Sequence, residues 1–354
     1  MIQFMLILNH HSMLTTSTSL LKRLANITLV LVYLVILAGA VVRATGSGMG
    51  CPDWPKCFGK LIPPTDSLSL PQGYRQLYVE KRKAKNERMS KVLRFFGADD
   101  LADKLLKDPS IYTELDFNVT KAWIEYVNRL FGVALGFAQL ALVIVAWRFR
   151  KEKKNIFLYS FLALLLTIFE GWLGSIVVST NLLPWTITVH MLLALGIMVF
   201  VTSIIVKIKS DEIEKRNSFS PLIKNILLFA AIISLVQIVL GTQVREQIDN
   251  IATRIDDRNL WVAQLDHWFP IHQLLAFVVL TMNGYLFLIL RKSAIEIKRF
   301  ANYLIAIIIL EMAAGLLLST FSLPKFIQPV HLMLAVFMFG FQMSLYFRIK
   351  RALV

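Results

Sequence analysis

Four histidines lie in or beside long apolar stretches of this chain, at positions 190, 267, 272 and 331. Ionisable or ligating side chains inside a membrane are costly and usually functional. A lone one can also be a packing residue satisfied by a neighbouring helix. His272 and His331 each stand about five residues from the start of an apolar run, which at 1.5 Å per residue sets both imidazoles about 8 Å into their spans. Two histidines at one depth on different helices of a bundle are the arrangement that supplies both axial ligands to one haem iron. His190 opens another run at the same depth. Zinc is the rival ion, and it would want a third or fourth Cys, His or carboxylate ligand. The C-terminal half offers only His267 nearby. It comes one turn before His272 and just ahead of Pro270, which makes it the reserve ligand.

Other groups surround these. Glu125 precedes Asn128 by three residues, on the same helix face. A carboxylate there could accept a proton in catalysis, or serve only as the ionic partner of Arg129 or Arg43. Glu170 and Glu311 lie deeper, about ten residues from their helix ends, and a packing role suits them better than catalysis. Arg43, Arg129 and Arg245 stand near span ends, where they could neutralise haem propionates or anchor helices to lipid headgroups. Cys51 and Cys57 are the only cysteines. In an oxidising compartment they favour a disulfide; a reactive pair is the other option, and two thiols alone make a poor metal site. His10 and His11 fall in the N-terminal tail, outside any span.

The elements that must position these residues follow from hydropathy. The chain has 354 residues, 56% of them hydrophobic and only 17% charged, with a mean hydropathy of +0.61. A soluble protein of this size carries more charge, so the composition indicates a polytopic membrane protein. The net charge of +15 could suggest a nucleic-acid partner. The basic residues, however, sit in short clusters between apolar runs, as membrane topology requires, and no nucleic acid is expected. Runs of about 20 residues, enough to cross a hydrocarbon core, fall near 25–43, 123–147, 156–178, 185–206, 222–243, 268–290, 300–319 and 327–347. Lys and Arg cluster on alternate connections: Lys22 and Arg23, Arg148 to Lys154, Lys207 to Lys224, Arg291 to Arg299, and Arg348 to Arg351. The positive-inside rule then places both termini in the cytoplasm. The start, residues 1–24, reads as a cytoplasmic tail with no cleavable signal peptide. The loop 44–122 goes outside, and its charged piece over 70–107 reads as one or two amphipathic helices, either a solvated cap or a lid.

The chain also repeats itself. EGWLGSIVVSTNLLPWTITVH (Glu170 to His190) returns as EMAAGLLLSTFSLPKFIQPVH (Glu311 to His331), with Glu first, Gly fifth, Leu thirteenth and Val-His last. GAVVR (Gly39 to Arg43) returns as GTQVR (Gly241 to Arg245), and EYVNRL aligns with FPIHQL, which sets Asn128 against His272. An even number of spans per copy makes the repeats parallel. The predicted fold is therefore an all-α integral membrane protein of eight transmembrane helices. It comprises two parallel-repeat four-helix bundles, over 25–206 (with the loop 44–122) and 222–347. The repeats alone would also suit a secondary transporter, but Gly/Pro-broken mid-membrane helices are missing from the pattern.

GAVVRATGSGMGCPDWPKCFG followed by IPP, EYVNRLFG, EGWLGSIVVST and the histidines opening spans four, six and eight resemble the haem A synthase family over essentially the whole chain. That resemblance implies an oxidoreductase of cytochrome oxidase assembly, which converts the C8 methyl of haem O to the formyl of haem A. It implies a haem b cofactor in the C-terminal bundle, on His272 and His331. It also implies haem O in the N-terminal bundle, with His190 on the iron, Glu125 close to the reacting methyl, and a Cys51–Cys57 disulfide on the outer side. A bacterial cytoplasmic membrane, a haem O synthase, an electron acceptor and a homo-oligomer are further expectations. Many members have histidine where this chain has Asn128, so an iron position could stand open there, with the amide hydrogen-bonding a bound water or oxygen species. The alternative is a haem b-binding electron-transfer or haem-handling protein that has lost catalysis.

Overall fold

A computed structural model describes residues 2–95, 97–112, 116–180, 182, 184–208 and 219–353, without the side chains of 2–17, 110 and 184. Most of the basic connection between spans four and five, 209–218, lies outside the described residues, and so does Phe96. The described helices are α1 (Ile2–Ala44), α2 (Tyr74–Phe95), α3 (Asp99–Lys107), α4 (Val119–Trp147), α5 (Lys154–Ser179), α6 (Pro184–Ile208), α7 (Pro221–Ala252), α8 (Trp268–Leu290), α9 (Ile295–Thr320) and α10 (Ile327–Ala352). Eight of them, all but α2 and α3, are long and apolar enough to cross a membrane. An isolated helix satisfies its own backbone hydrogen bonds, which is why hydrophobic spans take this form in lipid. The chain is an all-α integral membrane protein.

Two boundaries differ from expectation. Helix α1 starts at Ile2, not near residue 25, and its apolar span runs from Thr18 to Ala44. Helix α7 continues to Ala252, nine residues beyond the predicted end at 243. Val244 and Ile248 remain buried on it, packed with Leu323 and partly buried Trp261 and Trp268. Arg245 therefore stands on a helix, not in a loop.

The chain divides into two compact units, and α1, α4, α5 and α6 contribute residues to both. The first holds residues 1–33, 135–166 and 195–354. In it α7 packs on α8 and α10, and α9 packs on the same two, a closed ring of four helices around Leu227, Ala230, Leu286, Ile308 and Met338. A second apolar core joins Leu21, Leu142, Ala146, Ile156 and Ile204 from α1, α4, α5 and α6. Gly340 of α10 receives the Tyr33 hydroxyl and the Met198 sulfur, so the small residue is required there by close approach. Arg351 donates to the carbonyls of Val206 (3.2 Å) and Lys207 (3.3 Å), capping the end of α6.

The second unit, 34–134 and 167–194, contains the loop. Its charged piece forms two helices, and α2 buries a stripe at four-residue spacing that is polar: Tyr78, Arg82, Asn86 and Ser90. Arg82 donates to the Ile111 carbonyl (2.9 Å). Asn86 donates to the Ser179 carbonyl (3.0 Å) and Lys85 to that of Ser175 (2.6 Å), so α2 satisfies the last turn of α5. This helix is docked, not a freely solvated cap. Burial, and secondarily the Arg129 charge, bring the Lys85 ammonium down from 10.5 to about 8. A base depressed in the folded state leaves the unfolded chain holding more protons, so stability rises with pH between those values. Thermal unfolding in detergent should show the wild type gaining on Lys85→Met as pH rises from about 8 to 10.5. A difference that does not change with pH would refute this.

Candidate functional site

Both copies of the repeated hairpin fold the same way. The Glu170 carboxylate pairs with Nδ1 of His190, and Glu311 Oε1 lies 3.2 Å from Nδ1 of His331. The Glu311 carbonyl oxygen is also 3.2 Å from that nitrogen. A Cβ at Gly174 would stand 3.8 Å from Cε1 of His190, and one at Gly315 would stand 3.2 Å from Cε1 of His331. The repeated Leu occupies the left-handed region in each copy, φ 62° at Leu182 and 59° at Leu323. Its amide bonds back across the helix end, to Val177 (2.9 Å) and Leu318 (3.0 Å). A branched residue in that conformation is costly. Its side chain compensates, seated over Gly48 in one copy and buried beside Val244 in the other. The spacing of Glu, Gly, Leu and His is thus a single device: a turn that returns an imidazole onto a glycine and a carboxylate.

In the C-terminal half, His272 and His331 face each other with ring centroids 6.4 Å apart. Metal–nitrogen bonds of about 2 Å on either side of one ion, with ring centres about 1.1 Å behind the nitrogens, separate two trans imidazoles by about 6 Å. The separation of the pair is one that would suit a single iron held between them. A Cβ at Gly241 would lie 3.3 Å from Cε1 of His272, so this ring also rests on a glycine. Gln237 Nε2 donates to the His272 carbonyl (2.9 Å) and stands 3.5 Å from its Nε2. His272 Nδ1 is buried without a hydrogen-bond partner. Among the described residues no three His, Cys, Asp or Glu side chains gather as a metal site. The reserve ligand His267 is 65% exposed, stacked beside Trp268. Arg245 bonds Gln328 (2.9 Å) and Asp249 (2.7 Å).

In the N-terminal half, the His190 side chain is 41% exposed, against 25% for His331, so this copy is the more open. The Asn128 Oδ1 is buried without a partner. Gly39, the counterpart of Gly241, has nothing within 4 Å of where a Cβ would be. One turn away, Glu125 pairs with Arg129 and accepts from the Cys51 amide (2.9 Å). Arg129 also donates to the carbonyls of Asp53 (2.7 Å), Lys56 (2.8 Å) and Cys51 (3.1 Å). These bonds clamp the loop closed by the Cys51–Cys57 disulfide. Gly50 is required here, since its Cβ would lie 2.5 Å from the Lys121 backbone. Arg43 stands in the last turn of α1. Sequence reasoning missed the pairing of Glu170 and Glu311 with histidines, and also Gln237, although the Glu, Gly and His of the repeat carried the signal for the first.

The chain matches the COX15-CtaA family, described as cytochrome oxidase assembly protein, over residues 22–87 and 103–343. Among curated relatives, a heme A synthase of Shewanella oneidensis is 28% identical over 169 residues, 48% of this chain and 40% of the relative. That of Rickettsia prowazekii is 23% identical over 94% of this chain and 99% of the relative. That of Ehrlichia canis is 22% identical over 87% of each. With the family match running through every span and both histidine hairpins, the chain belongs to the COX15-CtaA family of cytochrome oxidase assembly proteins.

Proposed function

We propose that this protein is a haem A synthase, a membrane oxidoreductase that converts the C8 methyl of haem O to a formyl group. The observation that carries the reading is the facing pair His272 and His331, 6.4 Å apart on neighbouring helices; the family match selects this reaction among haem reactions. Haem b is the cofactor those two histidines would hold, in a C-terminal bundle over 222–347, and when bound it supplies one-electron transfer. Haem O is the substrate of the N-terminal bundle over 25–206. There His190 binds its iron, and the unpartnered Asn128 Oδ1 accepts a hydrogen bond from a water or oxygen species. Glu125 lies close to the methyl and takes a proton released there, while Arg129 holds its carboxylate in place. The charges of Arg43, Arg129 and Arg245 favour the propionate end of a haem. In a bacterial cytoplasmic membrane, the alternating basic clusters favour both termini inside and the disulfide loop outside. A haem O synthase as donor, an electron acceptor, and a homo-oligomer complete the proposal. No observation favours a haem carrier without catalysis.

Pigment extraction tests the reaction. Purified after co-expression with a haem O source, the protein should yield hydroxylated or formylated haem; haem b alone, with haem O unchanged, defeats the proposal.

A further inference from the structure

The repeated carboxylates have a role that the ligand assignment alone does not supply. Resting on the reading above that His331 and His190 bind haem iron, we propose that Glu311 and Glu170 are positioning residues. Each accepts the Nδ1–H of its histidine and so presents Nε2 to the metal.

A neutral imidazole has two tautomers, and only the nitrogen without hydrogen can ligate. An acceptor at Nδ1 selects the tautomer whose Nε2 is free, and a carboxylate there strengthens the ligand. In the C-terminal copy the acceptor is doubled, with Glu311 Oε1 and the Glu311 carbonyl each 3.2 Å from Nδ1. The second carboxylate oxygen of each pair, Glu311 Oε2 and Glu170 Oε1, is buried with no other partner. These carboxylates therefore serve the histidines and do not tie helices together elsewhere. Glycine supplies the other constraint. With Gly315 only 3.2 Å from Cε1 by its would-be Cβ, the ring is stopped on one edge and hydrogen-bonded on the next, which fixes its rotation. His272 is an internal contrast. It rests on Gly241 in the same way, yet among the described residues no carboxylate stands against its Nδ1, whereas Glu170 and Glu311 stand against those of His190 and His331. Each half thus has one histidine with a carboxylate against its Nδ1, and in both halves it is the one that ends the repeated hairpin. In the repeat Asn128 aligns with His272, the histidine without a carboxylate.

The test uses full-length protein loaded with haem b. Glu311→Gln, which keeps shape and removes charge, should weaken haem b retention about 10- to 100-fold. It should also raise the haem midpoint potential, since a weaker donor stabilises the ferric state less. Glu311→Asp should partly restore both. Glu170→Gln should weaken haem O binding to a similar extent and leave the haem b potential where it was. Wild-type retention and potential in Glu311→Gln overturn the proposal. If that variant fails to accumulate, Gly315→Ala displaces the same ring, and an unmoved potential there overturns it equally. Histidine variants separate the two levels: a low-spin spectrum surviving both His272→Ala and His331→Ala defeats haem ligation itself. Its loss in both, with an unmoved potential in Glu311→Gln, defeats only the brace.

Discussion

His331→Ala is expected to abolish the low-spin haem spectrum of the purified protein, and His272→Ala to do the same. A low-spin iron needs strong ligands on both faces, and the two imidazoles are placed as one pair, 6.4 Å between ring centres. Rescue by another side chain is blocked by composition and distance from the pair's setting. Among the described residues no third ligand joins a metal-holding group, and His267 is turned out to 65% exposure. The effect is therefore loss of the spectrum, not a graded weakening. Absorption spectroscopy of the reduced protein reads it directly, and a normal spectrum in either variant would place the ligands elsewhere.

The largest effect on stability is expected at Arg129. Its side chain is 13% exposed and that of Glu125 is 5% exposed, so Arg129→Met strands a buried carboxylate. Removing one partner of such a pair costs about 3–5 kcal/mol, a large part of the roughly 5–15 kcal/mol that stabilises a folded protein. Three loop carbonyls lose their donor as well. The Cys51–Cys57 loop should come free of α4, lowering the unfolding temperature and speeding reduction of the disulfide by an added thiol. Glu125→Gln should cost less, because Arg129 keeps its three carbonyls and the Cys51 amide can still find an amide oxygen. Equal unfolding temperatures in the arginine variant and the wild type would contradict this account.

The eight spans were legible because about 20 consecutive apolar residues are a strong signal in themselves. The overrun of α7 was not, since residues 244–252 mix Arg245, Glu246 and Asp249 with the buried Val244 and Ile248, and mean hydropathy falls where amphipathic helix replaces span. Docking of α2 was hidden for a related reason. Apolar periodicity is the signal for a buried face, whereas this helix buries Arg82 and Asn86 against backbone carbonyls of other segments. The histidine pair could be placed by counting residues. Its carboxylate braces could not, because counting put Glu170 and Glu311 deeper than His190 and His331, and side-chain reach closes a gap of a few residues. The clamp by Arg129 rests on main-chain oxygens, which no residue identity announces.

The space over Gly39 gives the duplication a consequence in time. Where Gly241 carries an imidazole at 3.3 Å, Gly39 carries nothing within 4 Å, and the histidine across the repeat is the more exposed one. A group gripped on both faces dissociates slowly, and differences in affinity are mostly differences in that off-rate. On the proposed reading, one half of the molecule keeps its haem for the protein's lifetime, and the other must surrender its haem at every turnover. A single histidine ligand beside Asn128 would be enough to make that half a thoroughfare and the other a berth.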